Sequence, residues 1–328
     1  MNADSLIEIS DLKIYFKTLN GVSKAVNGIN LQIYRGEVLG LVGESGSGKS
    51  VTGLSLMGLI PKPEGYIASG DILLEGKSIL QFSETELNTL RGGRIGMIFQ
   101  EPMTSLNPVF RVGEQIGEAL EIHRGLKGRE NKKTVLELLQ KVRIPDGENI
   151  YSAYPHQLSG GMRQRVMIAM ALSCQPDLLI ADEPTTALDV TIQAQILDLL
   201  QDLVKENNIS ILFITHDLSV ISEIADRVAV MYAGKVVECA DKTSLLCHPK
   251  HPYTRGLIKA RPENYSIHGG YYAIPGVVPS AMNRPAGCQF APRCQKASAV
   301  CSEKEPPLTL AGNRAVACWN LDPEASHA

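Results

Sequence analysis

The strongest constraint in the sequence is a glycine-rich loop that lies between an apolar run and a helical pattern. Residues 38–42 are continuously apolar, which suits a strand that is buried on both faces of a parallel sheet. Residues 43–50 read GESGSGKS and fit the pattern G-x-x-x-x-G-K-[ST]. The following letters, KSVTGLSLMGLI, have helical spacing. A buried strand, a glycine loop and a helix in this order predict a site for phosphate groups.

Each residue type in this loop has a chemical reason. Glycines let the backbone curl so that several N–H groups point at phosphate oxygens, and the helix start adds partial positive charge. Lys49 can reach the β- and γ-phosphates of a nucleotide, and the Ser50 hydroxyl can bind Mg²⁺. The predicted nucleotide contacts of the loop are Gly43, Glu44, Ser45, Gly46, Ser47, Gly48, Lys49, Ser50 and Val51.

A second apolar run ends in two carboxylates. Residues 177–184 read DLLIADEP, so a predicted strand delivers Asp182 and Glu183 to the carboxyl edge of a sheet. Asp182 suits the Mg²⁺ shell, and Glu183 suits a general base or a group that positions water beside the γ-phosphate. Such a pair alone also fits helix capping. It indicates catalysis only together with the glycine loop of residues 43–50, which is the predicted phosphate loop.

The order of patterns along the chain predicts an α/β fold with a parallel sheet. Strand signals fill residues 6–42 and return after residue 177, whereas 101–175 reads as a mainly helical insert. Near residue 246 the chain becomes rich in Pro, Gly and Cys, which predicts a small, loop-rich C-terminal module. We therefore expect one nucleotide-binding domain over 1–245 and a module over 246–328.

Charge and hydropathy exclude several classes of protein. The formal net charge of −3 argues against a nucleic-acid-binding protein, which would be strongly basic. No apolar run approaches the roughly 20 residues of a membrane-spanning helix, and residues 1–10 lack the pattern of a signal peptide. The expectation is a protein that is soluble or that meets a membrane only through a partner.

One stretch resembles a known family. Residues 158–165, LSGGMRQR, resemble the signature motif of ABC-type ATPases and lie shortly before the carboxylate strand, as in that family. Gln100 resembles the family's Q-loop, Asp189 its D-loop and His216 its switch histidine. The resemblance covers essentially the whole chain. It implies a RecA-like P-loop core with an antiparallel β-subdomain and an inserted helical subdomain.

The resemblance also implies roles. Glu183, His216 and Gln100 would be catalytic, and Ser50, Gln100 and Asp182 would hold Mg²⁺. Ser159, Gly160, Gly161 and Asp189 would contact ATP held by the opposite subunit of a head-to-tail dimer. Adenine would stack on Phe16, although a core aromatic of a strand is the alternative reading.

Further segments narrow the resemblance to importers of dipeptides, oligopeptides and nickel. These are residues 99–116, 248–258, 287–301 and 316–320. The implied assembly has a second ATPase, expected to be a different chain, two membrane permease subunits and an extracytoplasmic substrate-binding protein. It would lie at the cytoplasmic face of the cell membrane as a peripheral subunit. The alternatives are a nickel or metal-chelate cargo, a soluble ABC ATPase outside transport and a module that does not hydrolyse ATP.

Four of the seven cysteines lie in the C-terminal stretch: Cys288, Cys294, Cys301 and Cys318. Four thiolates can hold a metal centre, but the spacing lacks both the zinc knuckle and the ferredoxin run, so the chemistry leaves the type open. The family resemblance implies a [4Fe–4S] cluster. Zinc and free thiols are the alternatives.

Overall fold

The computed structural model describes residues 4–100, 105–186, 188–261 and 272–321. Its strands are β1 (Ser5–Thr18), β2 (Gly21–Tyr34), β3 (Val38–Val42), β4 (Gly65–Leu74), β5 (Lys77–Ser78), β6 (Ile95–Ile98), β7 (Leu178–Asp182), β8 (Ser210–Thr215), β9 (Arg227–Tyr232), β10 (Lys235–Asp241), β11 (Thr309–Ala311) and β12 (Arg314–Val316). Its α-helices are α1 (Lys49–Leu56), α2 (Glu84–Leu90), α3 (Val112–Arg124), α4 (Gly128–Lys141), α5 (Gly147–Ser152), α6 (Gly160–Leu172), α7 (Val190–Asn207), α8 (Leu218–Ile224), α9 (Lys242–Cys247), α10 (Pro252–Lys259) and α11 (Ala299–Glu303).

The described chain divides into two compact units. The loop unit comprises residues 4–34, 38–80 and 214–321, and it carries the glycine loop. The carboxylate unit comprises residues 35–37 and 81–213, and it carries Asp182 and Glu183. No helix in the described ranges is both long and apolar enough to cross a bilayer.

The loop unit contains an antiparallel sheet with the strand order β2-β1-β4-β5. Along β1, Ile7 pairs with Ile33 on one side and with Leu74 on the other, and all three side chains are buried. Alternating burial along β1 and β2 follows from the period of two that the sequence shows, because one face of each strand packs into the core.

A second group of strands in the loop unit has the order β11-β12-β10-β9-β3. The strands β3 and β9 are parallel, and all five residues of β3 are buried, as the continuous apolar run predicts. The hairpin of β11 and β12 pairs with β10, where Glu238 lies opposite Val316. Residues after 246 thus extend this group of strands.

In the carboxylate unit, β6 and β7 are parallel neighbours and β8 begins beside β7. Every residue of β7 is buried, including Asp182 at its end. Helices α3, α4, α5 and α6 lie in the stretch predicted as a helical insert, and α3 packs against α4. Their apolar faces supply buried residues such as Ile116, Leu139 and Val166. Residues 101–104 of the predicted insert lie outside the described residues.

Candidate functional site

The glycine loop has a backbone that other residues adopt only with strain. Gly46 and Gly48 have φ values of 75° and 103°. A Cβ on Gly48 would lie 2.7 Å from the Ala25 carbonyl oxygen, and one on Gly43 would lie 2.1 Å from the Met231 carbonyl oxygen. Backbone of strands β2 and β9 therefore packs against the loop at Gly48 and Gly43, and only glycine fits at these two positions. The loop ends in Gly48, the residue that precedes α1.

The loop also holds a buried cation. Lys49 is 6 % exposed, and its Nζ donates to the carbonyl oxygens of Gly43 at 2.7 Å and Glu44 at 3.1 Å. The buried Ser47 Oγ has no hydrogen-bond partner among the described residues. A buried hydroxyl without a partner costs stability unless a ligand satisfies it. A positive side chain, an unsatisfied hydroxyl and the N-terminus of a helix suit a phosphate group.

Glu44 connects this loop to the C-terminal part of the chain. Its backbone N–H donates to Tyr253 Oη at 2.9 Å. Both of its carboxylate oxygens lie 3.1 Å from Arg293 Nη1. Sequence reasoning assigned no role to Tyr253 or Arg293, because both are more than 200 residues from Glu44 in the chain.

Around these contacts lies a buried aromatic cluster of Tyr232, Tyr253, Phe290 and His251. Ring centroids of Tyr232 and Tyr253 are 4.6 Å apart, and those of Tyr232 and Phe290 are 5.2 Å apart. Burial raises the pKa of Tyr253 far above its usual value, and the Glu44 charge adds to this, so the phenol keeps its proton. Burial also lowers the pKa of His251 to about 3, so its ring is neutral at pH 7.

The carboxylate unit places a second set of predicted residues together. Asp182 is the buried last residue of β7, and Glu183 follows it with a φ of 47°, an uncommon conformation for a residue other than glycine. Gln100 Nε2 donates to Glu183 Oε2 at 2.9 Å, and Thr186 Oγ1 donates to the same oxygen at 3.0 Å. Two donors thus fix the orientation of the Glu183 carboxylate.

The residues of the motif at 158–165 lie at the start of α6. Ser159 caps this helix, because its Oγ accepts from the Met162 N–H at 3.3 Å. Asp189 caps α7 in the same way, accepting from the Ile192 N–H at 3.0 Å. A Cβ on Gly161 would lie 2.9 Å from Ile192 Cγ2, so the first turns of the two helices pack closely.

Phe16 and His216 lie in the loop unit. Phe16 is half-buried in β1, where it pairs with Ser23 of β2 and Gly65 of β4. His216 is exposed directly after β8, and Asp217 beside it caps α8. Strand β2 also supplies Ala25, which abuts the glycine loop, so β1 and β2 belong to the surroundings of that loop.

Comparisons with known proteins now decide the family. A model described as ABC transporter matches residues 26–186. The chain is 52 % identical over 323 residues to the Oligopeptide transport ATP-binding protein AppD of Bacillus subtilis, covering 98 % of each chain. It is 45 % identical to the Dipeptide transport ATP-binding protein DppD of the same organism, covering 99 % of this chain and 97 % of that one.

The chain belongs to the ATP-binding proteins of ABC transporters.

Solved structures agree with this assignment. A dimeric ATP-binding cassette in a post-hydrolysis state bound to ADP and Pi is 30 % identical, with a TM-score of 0.64 over 72 % of this chain and 98 % of that one. CbiO1 of Clostridium perfringens, part of an ABC transporter complex, is 31 % identical, with a TM-score of 0.64 over 75 % and 92 % of the two chains. The predicted family and P-loop ABC fold are confirmed, and this protein is an ABC-type ATPase.

A second model, described as Oligopeptide/dipeptide transporter, C-terminal region, matches residues 237–301 of this ABC protein. The prediction of a separate, loop-rich module with a cysteine cluster is not confirmed. Helix α10 and the hairpin of β11 and β12 lie in that stretch, and the hairpin pairs with β10. Pairing between residues near 238 and 316 leaves no local signal in the sequence.

The four C-terminal cysteines interact without forming a metal site. Burial raises the pKa of Cys288 to about 11, and burial likewise raises those of Cys294 and Cys318, with the Cys301 charge as a further cause for all three. Asn320 Nδ2 and Ser298 Oγ lie 3.5 Å and 3.4 Å from Cys301 Sγ. Across the described ranges, no three His, Cys, Asp or Glu side chains are grouped so that they could hold a metal ion. The predicted iron–sulfur cluster is therefore not confirmed.

Proposed function

We propose that this ABC ATPase powers the import of dipeptides or oligopeptides across the cell membrane. The observation that carries the proposal is the match of residues 237–301 to the C-terminal region of oligopeptide and dipeptide transporters. Relatives named for oligopeptide and dipeptide transport, matched over almost the whole chain, support it. The nickel or metal-chelate importer stays an alternative cargo, because cargo is selected by subunits other than this one.

In the loop unit, the proposed role of residues 43–51 is to bind the phosphates of ATP. Backbone N–H groups at the start of α1 would donate to the phosphate oxygens, and Lys49 would exchange its carbonyl partners for the β- and γ-phosphates. Bound Mg²⁺ neutralises phosphate charge in such sites, and Ser50 would offer it a hydroxyl. Phe16 would stack on the adenine, and His216 would contact the γ-phosphate.

In the carboxylate unit, Glu183 would polarise the attacking water. Hydrogen bonds from Gln100 and Thr186 to Oε2 orient the carboxylate, which would accept a proton from the attacking water. The buried Asp182 and the side chain of Gln100 would supply oxygen ligands to Mg²⁺. These roles rest on the geometry within this unit and on the family's motifs.

Ser159, Gly160 and Gly161 would meet the γ-phosphate that a second ATPase subunit holds, and Asp189 would lie at the same interface. The exposed start of α6 supports this role, because it offers a hydroxyl and helix N–H groups to an anion from outside the chain. The proposed assembly is a head-to-tail pair with a different ATPase chain, two membrane permeases and an extracytoplasmic substrate-binding protein. This chain would be peripheral, on the cytoplasmic face.

A transport assay tests the cargo. The complex is captured from native membranes through this chain, its subunits are identified by mass spectrometry, and it is reconstituted into vesicles with its binding protein. ATP-dependent uptake of a labelled dipeptide or oligopeptide, absent when Glu183→Gln replaces the wild-type chain, would support peptide import. Uptake of radioactive nickel without peptide uptake would move the cargo to the alternative. Capture with ribosomal or DNA-repair proteins, and no membrane partner, would contradict a role in transport.

We also propose a [4Fe–4S] cluster on Cys288, Cys294, Cys301 and Cys318. Three partly buried thiols and the buried Cys301 support it, because their thiolate forms would repel one another and a bound cation would relieve that repulsion. Their arrangement in this structure does not by itself form a metal site. Iron and acid-labile sulfide in anaerobically purified protein, both lowered by Cys294→Ser, would support the cluster. Protein with zinc alone, or without metal, would contradict it.

A further inference from the structure

Among the described residues, side chains of the C-terminal part of the chain form hydrogen bonds with Glu44 of the phosphate loop. We propose that Tyr253 and Arg293 are positioning residues for ATP binding, which act by holding Glu44 and through it the loop. The C-terminal segment is then part of the ATP-binding apparatus and not only an attachment to it. The inference rests on the proposed role of the phosphate loop and adds two residues to which the sequence analysis assigns no role.

Tyr253 is a rigid support for the Glu44 backbone. Its side chain is fully buried, and its Oη accepts from the Glu44 N–H at 2.9 Å. The start of its helix, α10, is fixed by His251, whose Nδ1 accepts from the Tyr253 N–H at 3.1 Å. The His251 N–H donates in turn to the fully buried Glu238 at 2.9 Å. The phenol therefore has little freedom to move away from the loop.

Arg293 holds the side chain of Glu44 from a fixed position. Its own side chain is 5 % exposed, and Nη1 lies 3.1 Å from both carboxylate oxygens. The other nitrogens are also engaged, because Nε donates to the Pro275 carbonyl at 2.9 Å and Nη2 to the Ile274 carbonyl at 3.1 Å. A guanidinium that is fixed in this way makes a stronger and more directional contact than a surface ion pair.

Both contacts bear on Lys49. The Glu44 carbonyl oxygen accepts from Lys49 Nζ at 3.1 Å, so the position of Glu44 sets one side of the lysine's surroundings. The Tyr253 bond also fixes the direction of the Glu44 N–H, which donates to the phenol oxygen. Loosening Glu44 should therefore weaken ATP binding. It should leave the chemical step at saturating ATP nearly unchanged, because Glu183 and Gln100 are untouched.

The first experiment compares Tyr253→Phe with Thr254→Val in the full chain. Tyr253→Phe removes one oxygen and keeps the ring, whereas Thr254→Val removes a neighbouring buried hydroxyl that has no hydrogen-bond partner among the described residues. We expect Tyr253→Phe to weaken ATP binding about three- to tenfold, with kcat within about twofold of wild type. Thr254→Val should leave both unchanged. A purely structural role for Tyr253 would instead lower the melting temperature of the nucleotide-free protein without raising the KM for ATP, and would overturn the proposal.

The second experiment is a double-mutant cycle on Glu44→Gln and Arg293→Met. If Arg293 acts through Glu44, each variant weakens ATP binding and the double variant binds about as well as Arg293→Met alone. Additive losses, or unchanged affinity in both single variants, would overturn the proposal. Should Arg293→Met fail to fold, Arg293→Lys replaces it, because lysine keeps the charge but cannot also bond Ile274 and Pro275.

Lys49→Ala separates failure of this inference from failure of the phosphate-loop assignment. Loss of ATP binding in Lys49→Ala, with wild-type affinity in Tyr253→Phe and Arg293→Met, would keep the loop and reject the two positioning residues. Wild-type affinity in Lys49→Ala would reject the loop assignment itself.

Discussion

The phosphate loop and the start of α6 both place glycines before the first turn of a helix, yet they are built differently. In the loop, Gly46 and Gly48 have positive φ, and a Cβ on Gly48 would meet backbone at 2.7 Å. At the start of α6, a Cβ on Gly160 would find no atom nearer than 4.0 Å. Ser159 and Gly160 are exposed, whereas Ser47 and Lys49 are buried.

The difference indicates that this chain forms the phosphate loop by itself, whereas the start of α6 is completed by another molecule. The phosphate loop is fixed before any ligand arrives. Backbone of strands β2 and β9 contacts it, and side chains of the C-terminal part form hydrogen bonds with it. At the start of α6, Gly161 packs against Ile192 but Ser159 and Gly160 are exposed, which fits a surface that is completed by another molecule. The proposed dimer would supply that molecule, and the predictions below probe the two sites separately.

Glu183→Gln should have the largest effect. Glutamine keeps the shape of the side chain and can still accept from Gln100 and Thr186, but it cannot take a proton from water. We expect kcat of the assembled complex to fall about 10²- to 10⁴-fold with ATP affinity unchanged. Turnover near the wild-type value would remove Glu183 from its proposed role.

Lys49→Ala should have the second-largest effect, because it removes the buried cation of the phosphate loop. ATP affinity should fall about 10- to 100-fold, the size expected for losing hydrogen bonds from a charged donor. Equilibrium binding of a fluorescent ATP analogue measures this. Lys133→Ala, which removes an exposed lysine of α4, is the control for net charge and should bind normally. Equal binding by both variants would contradict the loop's role.

Acid should weaken the surroundings of the phosphate loop through His251. Its pKa is about 3 in the folded protein and 6.5 otherwise, so below pH 6.5 the unfolded chain takes up a proton that the folded chain refuses. The free energy of unfolding should therefore fall as pH drops from 6.5 toward 3, by about 1.4 kcal/mol per pH unit from this group.

Urea unfolding at pH 7, 6 and 5 in wild type and His251→Asn checks this. Asparagine is a good N-cap and can replace the bond to the Tyr253 N–H, but it does not titrate in this range. The variant should lose less stability per pH unit than the wild type. Identical slopes would mean that the buried ring is not the source of acid sensitivity.

Ser159→Ala should separate capping from catalysis at the start of α6. Loss of the cap costs about 1 kcal/mol of stability, and the proposed contact to a partner's ATP adds about a tenfold loss of turnover in the complex. Ser83→Ala is a matched control, because Ser83 caps α2 at the same 3.3 Å distance and has no proposed role with ATP. Equal turnover in the two variants would reduce Ser159 to a cap.

Gly160→Ala should have the smallest effect on stability and the opposite sign to Gly48→Ala. The Gly160 site has room and helical geometry, so alanine should raise the free energy of unfolding by about 0.5 kcal/mol. Gly48→Ala should lower it, because of its φ of 103° and the nearby Ala25 carbonyl. Urea denaturation of the two variants compares the glycines directly, and a shared sign would break the contrast drawn above.

The sequence predicted the parts of the site that a motif encodes locally. The glycine spacing at 43–50 reflects backbone geometry within eight residues, and the apolar runs of β3 and β7 reflect burial on both faces. Gln100 and Glu183 were each predicted, and the hydrogen bond between their side chains fits their joint assignment. The roles of these residues in hydrolysis stay predictions.

The sequence could not show contacts between distant segments, because no local pattern marks them. Arg293 and Glu44 are 249 residues apart, and a lone arginine in a Cys-rich stretch gives no hint of a carboxylate partner. The pairing of β12 with β10 and the burial of His251 are of the same kind, since both follow from how the chain returns to the loop unit. One local pattern was present: His-Pro-Tyr at 251–253 places Pro at the first position of a helix and so indicates a helix start.

The hairpin of β11 and β12 has a practical consequence for handling the protein. Because β12 pairs with β10, it shields backbone N–H and C=O groups that would otherwise form an open sheet edge. Any shortened chain that ends before residue 309 would present that edge, flanked by the apolar residues Val236 and Val237, to other molecules. Such fragments should self-associate during expression, so a soluble minimal version needs the last two strands or a charged substitution on β10.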